Sequence, residues 1–305
     1  MPIAPNDVKK IDSRDWNEIR SRWFNYFPII SPPGSPPGGE LYENQTVVKN
    51  LPLAKAAADR IFLEDDSILR QDIFRECIFL LHKANNVCCA TLNQVENGIL
   101  SWSISGMYQS SFFAMKAILG ILGVSLPQVG MHHLLVDAFP EDEKLTSKEK
   151  KAKIKAKPLM KFIHLGTLNH RDHWLIFQRI LRTTKVPIWS SELVAFLIGL
   201  DIEEFSKARN DLHYKSNNWP EPSDLFERQM LEDYACFDQL LSEVDPKSPY
   251  INLPHFLNFV LIKLAFELVE DISKDAPIVK EEFDLMKKRY SDTDGQRIMR
   301  SVSLF

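Results

Sequence analysis

Between Ser101 and Val124 the chain places Met107, Tyr108, Phe112, Phe113, Met115, Ala117, Ile118, Leu119, Ile121 and Leu122 on every side of a helical wheel, with Lys116 as the one charge. A helix that is apolar all round has no face to give to water, so it belongs at the centre of a bundle. Its small residues Ser105, Gly106, Ser110, Ser111, Ala114 and Gly120 let neighbouring helices approach closely. Gly123 supplies a C-terminal stop, with Pro127 beyond it. The apolar run around Phe112 to Val124, broken by Lys116, is too short to span a bilayer.

The flanking segments extend the helical pattern. Ile73, Cys77, Leu80, Leu81, Ala84, Cys88, Thr91 and Val95 recur at three- and four-residue steps and predict an amphipathic helix of roughly 25 to 30 residues. Further helices are expected near Trp174–Phe177, at Ser191–Leu200 capped by Ser190 or Ser191, over Leu225–Leu241, and at Pro254–Ile272. No alternating strand series competes, which predicts an all-α chain. Four segments are expected: an aromatic docking segment at 1–27, a Pro/Gly-rich linker or arm at 28–52, a helical domain at 53–275 with a lysine-rich insertion near 141–161, and a tail at 276–305. In the first, Trp16, Ile19, Trp23 and Phe27 share one helical face, suited to docking on a protein partner.

Composition and motifs exclude several function classes. With 305 residues, 45% hydrophobic and 26% charged, and a formal net charge of −4, no overall basicity announces nucleic acid, although a local basic patch is compatible with these figures. There is no P-loop, no GxGxxG after an expected strand, no GxSxG and no HExxH, and no cofactor is implied. Met1-Pro2-Ile3-Ala4 lacks a signal-peptide pattern, so the expectation is a cytoplasmic protein with no membrane contact. Cys77, Cys88, Cys89 and Cys236 lack zinc-site spacing and read as buried thiols. His164, His170 and His173 cluster in sequence, but Gly166 and Asn169 make the segment irregular. They read as structural or surface histidines rather than metal ligands, and His132-His133 points in two directions.

Two features point toward anions. From Lys144 to Lys161 the chain carries eight lysines against the single Glu149, and Lys151, Lys153, Lys155 and Lys157 alternate with small or apolar residues. Such a run is either a solvated face or an electrostatic contact with phosphates. The second feature is Arg209. Wound as a helix, Asp201 to Tyr214 gathers Ile202, Phe205, Ala208 and Leu212 on one stripe, with Arg209 inside it and His213 at its edge. A guanidinium on an apolar face is costly unless an anionic or hydrogen-bonding partner meets it. That partner is either a carboxylate such as Asp233 or Glu232, or a phosphodiester. In the second case His213, one turn along, serves as general acid or base on a ribose hydroxyl, and Asn210 orients the arginine or the substrate. RNA suits this pair because its 2′-hydroxyl is an internal nucleophile that requires no metal.

Tyr108-Gln109-Ser110-Ser111-Phe112-Phe113-Ala114-Met115-Lys116-Ala117-Ile118-Leu119-Gly120-Ile121-Leu122-Gly123-Val124 and Arg209-Asn210-Asp211-Leu212-His213 together resemble the HEPN superfamily, the first its early helix and the second its late arginine-to-histidine motif. The resemblance implies an HEPN-like helical bundle, often a homodimer, and a metal-independent endoribonuclease of a toxin–antitoxin or antiviral-defence type. Arg209, Asn210 and His213 would be its catalytic residues, facing a second copy, with Lys151, Lys153, Lys155, Lys157 and Tyr214 assisting RNA binding. The family motif usually spaces arginine and histidine by four to six residues. Three intervene here, and Tyr214 stands where a four-residue spacing would put the histidine. The competing reading is a non-catalytic helical interaction subunit of a multiprotein complex.

Overall fold

The computed structural model describes residues 13–24, 45–57, 60–64, 67–96, 100–140, 159–202 and 253–291. The chain divides into two units, one comprising Met1–Cys77 and Leu119–Val186, the other Ile78–Ile118 and Pro187–Phe305. In the first unit β1 (Arg14–Asp15) leads into α1 (Trp16–Phe24), followed by α2 (Gln45–Ala56), β2 (Ile61–Glu64) and the opening residues of α3 (Ser67–Glu96). After the last residues of α4 (Leu100–Ile121) come β3 (Val124–Ser125), β4 (Gln128–Val129), β5 (His132–Asp137), β6 (Leu159–Gly166), α5 (His170–Thr183) and β7 (Thr184–Lys185). The second unit holds the rest of α3 and α4, then α6 (Ser191–Gly199), α7 (Leu253–Ser273) and α8 (Pro277–Ser291).

The expected all-α class is corrected by the first unit. Its strands form a five-stranded antiparallel sheet in the order β2-β6-β5-β3, with β4 also paired to β5, and β1 and β7 make a separate parallel pair. The chain is mixed α/β, not the all-α HEPN-like bundle expected. The physical reason lies in burial. In β5 every residue from His133 to Asp137 is buried, and in β6 so are Met160 to Ile163. A strand covered on both faces shows no polar alternation, and its short apolar run is indistinguishable by periodicity from a piece of helix.

Several turns and caps around the sheet follow from local chemistry. Gly123 ends α4 with φ +81°, donates to Gly120 O at 2.8 Å, and its carbonyl accepts from Ala138 N at 2.8 Å. A Cβ there would run into the Phe139 ring. Gly166 closes β6, and Asn169 caps α5: Asp172 N donates to Asn169 Oδ1 at 3.0 Å while Asn169 N donates to Asp172 Oδ2 at 2.9 Å, a capping box. The irregularity read around Gly166 and Asn169 is thus the strand-to-helix junction.

The aromatic face of α1 belongs to the core of its own unit. Trp16, Ile19 and Trp23 are buried there, and Trp23 Nε1 donates to Ile121 O at 2.8 Å and meets Phe139 edge-on at 4.8 Å. Burying one tryptophan removes about 200 Å² from water, a gross gain of about 5 kcal/mol at about 25 cal/mol per Å². The face expected to dock on a partner is already covered. Phe27 and the Pro/Gly-rich stretch up to residue 44 lie outside the described residues.

In the second unit the small residues of α4 do admit neighbours closely. A Cβ on Gly106 would collide with the Thr91 side chain. Ser110 Oγ donates to Ala84 O at 2.7 Å, and Asn258 Nδ2 on α7 donates to Ser110 Oγ at 2.6 Å. Ser190 caps α6 by accepting from Leu193 N, Phe196 meets Phe256 edge-on at 4.9 Å, and Trp189 Nε1 donates to Leu264 O at 3.2 Å. Among the described residues no helix is long and apolar enough to cross a membrane.

Candidate functional site

The described part of the first unit brings four histidines to one end of the sheet. Their positions follow from strand alternation: His132 and His133 stand side by side at the start of β5 and point to opposite faces, as two successive strand residues must. His132 meets His164 of β6, with Nδ1 of the first and Nε2 of the second 3.2 Å apart and ring centroids 5.2 Å apart. His133 is buried and stands edge-on to His173 of α5 at 5.3 Å.

The two pairs differ in what holds them. In the inner pair, His133 Nδ1 accepts from Leu168 N at 3.2 Å, which places the proton of a neutral ring on Nε2, and His173 Nδ1 donates to Asn169 O at 2.9 Å. Both rings therefore serve the β6-to-α5 junction. The outer pair is half-buried. Its scaffold is a register shift between His133 and Leu134, where β5 slips against β6, together with Thr167 Oγ1 donating to Met131 O at 2.7 Å. Burial, the neighbouring His132 and the Lys55 cation all hold the His164 imidazole below its ordinary pKa, so this ring is neutral near pH 7. His170, at the start of α5, is exposed.

A second polar cluster is sealed. Asp137, at the end of β5, accepts from Arg14 Nη2 at 2.5 Å and lies 3.3 Å from Lys161 Nζ of β6, all three side chains at most 2% exposed. Asp137 Oδ1 also accepts from Phe139 N at 3.0 Å, and Arg14 Nη1 donates to Leu122 O at 3.2 Å. Beside it Arg70 is buried over the Phe139 ring, its guanidinium donating to Ala138 O. Burial on this scale stabilises only while every charge keeps its counterpart. The cluster pins β1, β5 and β6 together and offers no substrate access.

Arg209, Asn210, His213 and Tyr214, and likewise Lys151, Lys153, Lys155 and Lys157, lie outside the described residues. Ile202, the first apolar residue of the stripe containing Arg209, is buried. Sequence reasoning missed Arg14 and Asp137, which are separated by more than a hundred residues. It counted Lys161 with the lysine run, although Met160, Phe162 and Ile163 around it give it an apolar strand context unlike the Ala-Lys alternation before it. Among the described residues no group of three histidine, cysteine, aspartate or glutamate side chains is arranged to hold a metal. No family model matches this chain, and neither a curated protein nor a solved structure does.

Proposed function

We propose that this chain acts on RNA, as a metal-independent endoribonuclease or an RNA-binding protein of a toxin or antiviral-defence type, working in the cytoplasm as a homodimer. What carries this reading is the sequence pattern of Asp201 to Tyr214, which, wound as a helix, would set Arg209 in an apolar stripe with Asn210 beside it and His213 one turn on. Burial of Ile202 at the head of that stripe supports the apolar character assigned to the face. The likeness in sequence of Tyr108–Val124 and Arg209–His213 to HEPN proteins supports it too.

The chemistry is self-contained. Arg209 pairs with the non-bridging phosphoryl oxygens and neutralises the charge that builds on them. His213 takes the proton from the ribose 2′-hydroxyl, whose oxygen forms a bond to phosphorus while the bond to the 5′-oxygen breaks. The leaving oxygen takes up a proton, giving a 2′,3′-cyclic phosphate and a 5′-hydroxyl end. Incubating the purified chain with mixed RNA in EDTA tests this. Cleavage to cyclic-phosphate ends by wild type, lost in Arg209→Ala and His213→Ala, is expected of the nuclease. RNA left equally intact by all three proteins would exclude cleavage.

A further inference from the structure

We infer that His132 and His164 form a site for one divalent transition-metal ion of the class that favours imidazole, such as zinc. The two ring nitrogens come from adjacent strands and face each other at 3.2 Å. In the metal-free protein a single proton must sit between them, because two bare lone pairs or two N–H groups at that distance repel. Zinc binds imidazole nitrogen at about 2.0–2.1 Å, so two such bonds at a tetrahedral angle place the nitrogens about 3.3–3.4 Å apart. The observed spacing therefore already has the bite of such an ion. A metal could take the proton's place with little change in the nitrogen–nitrogen spacing.

The surroundings fit an open site rather than a closed one. Both residues are half-buried, and among the described residues no third histidine, cysteine or carboxylate joins them. With two protein ligands, the remaining positions would fall to solvent, one protein ligand fewer than at an open catalytic zinc site, so modest affinity is expected. The inner pair is a poorer candidate, because His133 Nδ1 and His173 Nδ1 are each committed to backbone partners. The ion would clamp β5 to β6 where their register slips, so its binding should be read out in stability. Lys55, whose charge reaches His164, opposes a cation there and would favour an anion. That opposition separates this proposal from a phosphate site. It stands independently of the RNA reading, which requires no metal.

The test uses the full chain with zinc ions alone as the probe. Calorimetric titration should find a site, with a rise in Tm, whose affinity falls about tenfold or more in either His132→Gln or His164→Gln and is unchanged in His170→Gln and His213→Gln. Lys55→Glu should tighten it. Should a histidine variant fail to fold by circular dichroism, wild type still decides: zinc should protect His132 and His164, but not His170, from diethyl pyrocarbonate, read by mass spectrometry. The proposal is overturned by no zinc binding, by binding indifferent to both histidines, by absence of that protection, or by inorganic phosphate binding in zinc's place and weakening in Lys55→Glu.

Discussion

Asp137 is the residue on which the first unit most depends. Its carboxylate faces two sealed cations, Arg14 and Lys161, and its removal takes the counter-charge at this cluster from both. Asp137→Asn is therefore expected to cost about 3–5 kcal/mol, measured by urea denaturation. Lys161→Met leaves a one-to-one Arg14–Asp137 pair and replaces an ammonium with an apolar chain of similar length, so it should stay within about 1.5 kcal/mol of wild type. The cysteines give a different residue-scale expectation. Cys77, Cys88 and Cys89 are buried, and burial, with Cys89 adding to it, pushes the Cys88 thiol well above its usual pKa. In a Cys236→Ser background none of the three should react with a maleimide at pH 8 until denaturant is added. Because the folded thiol holds its proton longer than the unfolded one, the Cys88 contribution to stability is complete below the unfolded thiol pKa. It is lost as pH rises past about 8.5.

At the scale of elements, the turn between α4 and β3 carries the sharpest constraint. Gly123 sits at positive φ with Phe139 pressed against it, so Gly123→Ala combines a left-handed backbone penalty with a steric collision. A loss of more than about 2 kcal/mol in thermal or urea unfolding is expected. The helices were legible because their signals are local: the three- and four-residue steps from Ile73 to Val95 correspond to α3, the glycine stop to the end of α4, and Ser190 to the cap of α6. The sheet was not legible. β5 and β6 are buried on both faces, their partners are separated by the lysine-rich segment, and β3 and β4 are two residues each, too short for any period to show. The histidine arrangement was half legible. That His132 and His133 diverge follows from adjacency, but that His132 finds His164 and His133 finds His173 depends on strand pairing that no spacing encodes.

At the scale of the whole molecule, the proposed RNA reading rests on Arg209 and the proposed metal site on the His132–His164 pair. These have separable consequences: EDTA should leave RNA cleavage unchanged while abolishing any zinc-dependent rise in Tm. On the proposed reading, phosphate binding by Arg209 is the more basic of the two roles, since binding requires only the guanidinium and cleavage requires both groups in register. An arginine contact to phosphate also weakens as salt rises, through release of counterions. The most direct measurement is therefore fluorescence anisotropy of a labelled single-stranded RNA titrated with wild type, Arg209→Ala and His213→Ala at about 50 and 200 mM salt. The expected result is saturable wild-type binding that weakens with salt, a loss of about tenfold or more in Arg209→Ala with a shallower salt dependence, and near-wild-type affinity in His213→Ala. Equal affinity of wild type and Arg209→Ala at both salts, or no RNA binding by wild type, would contradict it.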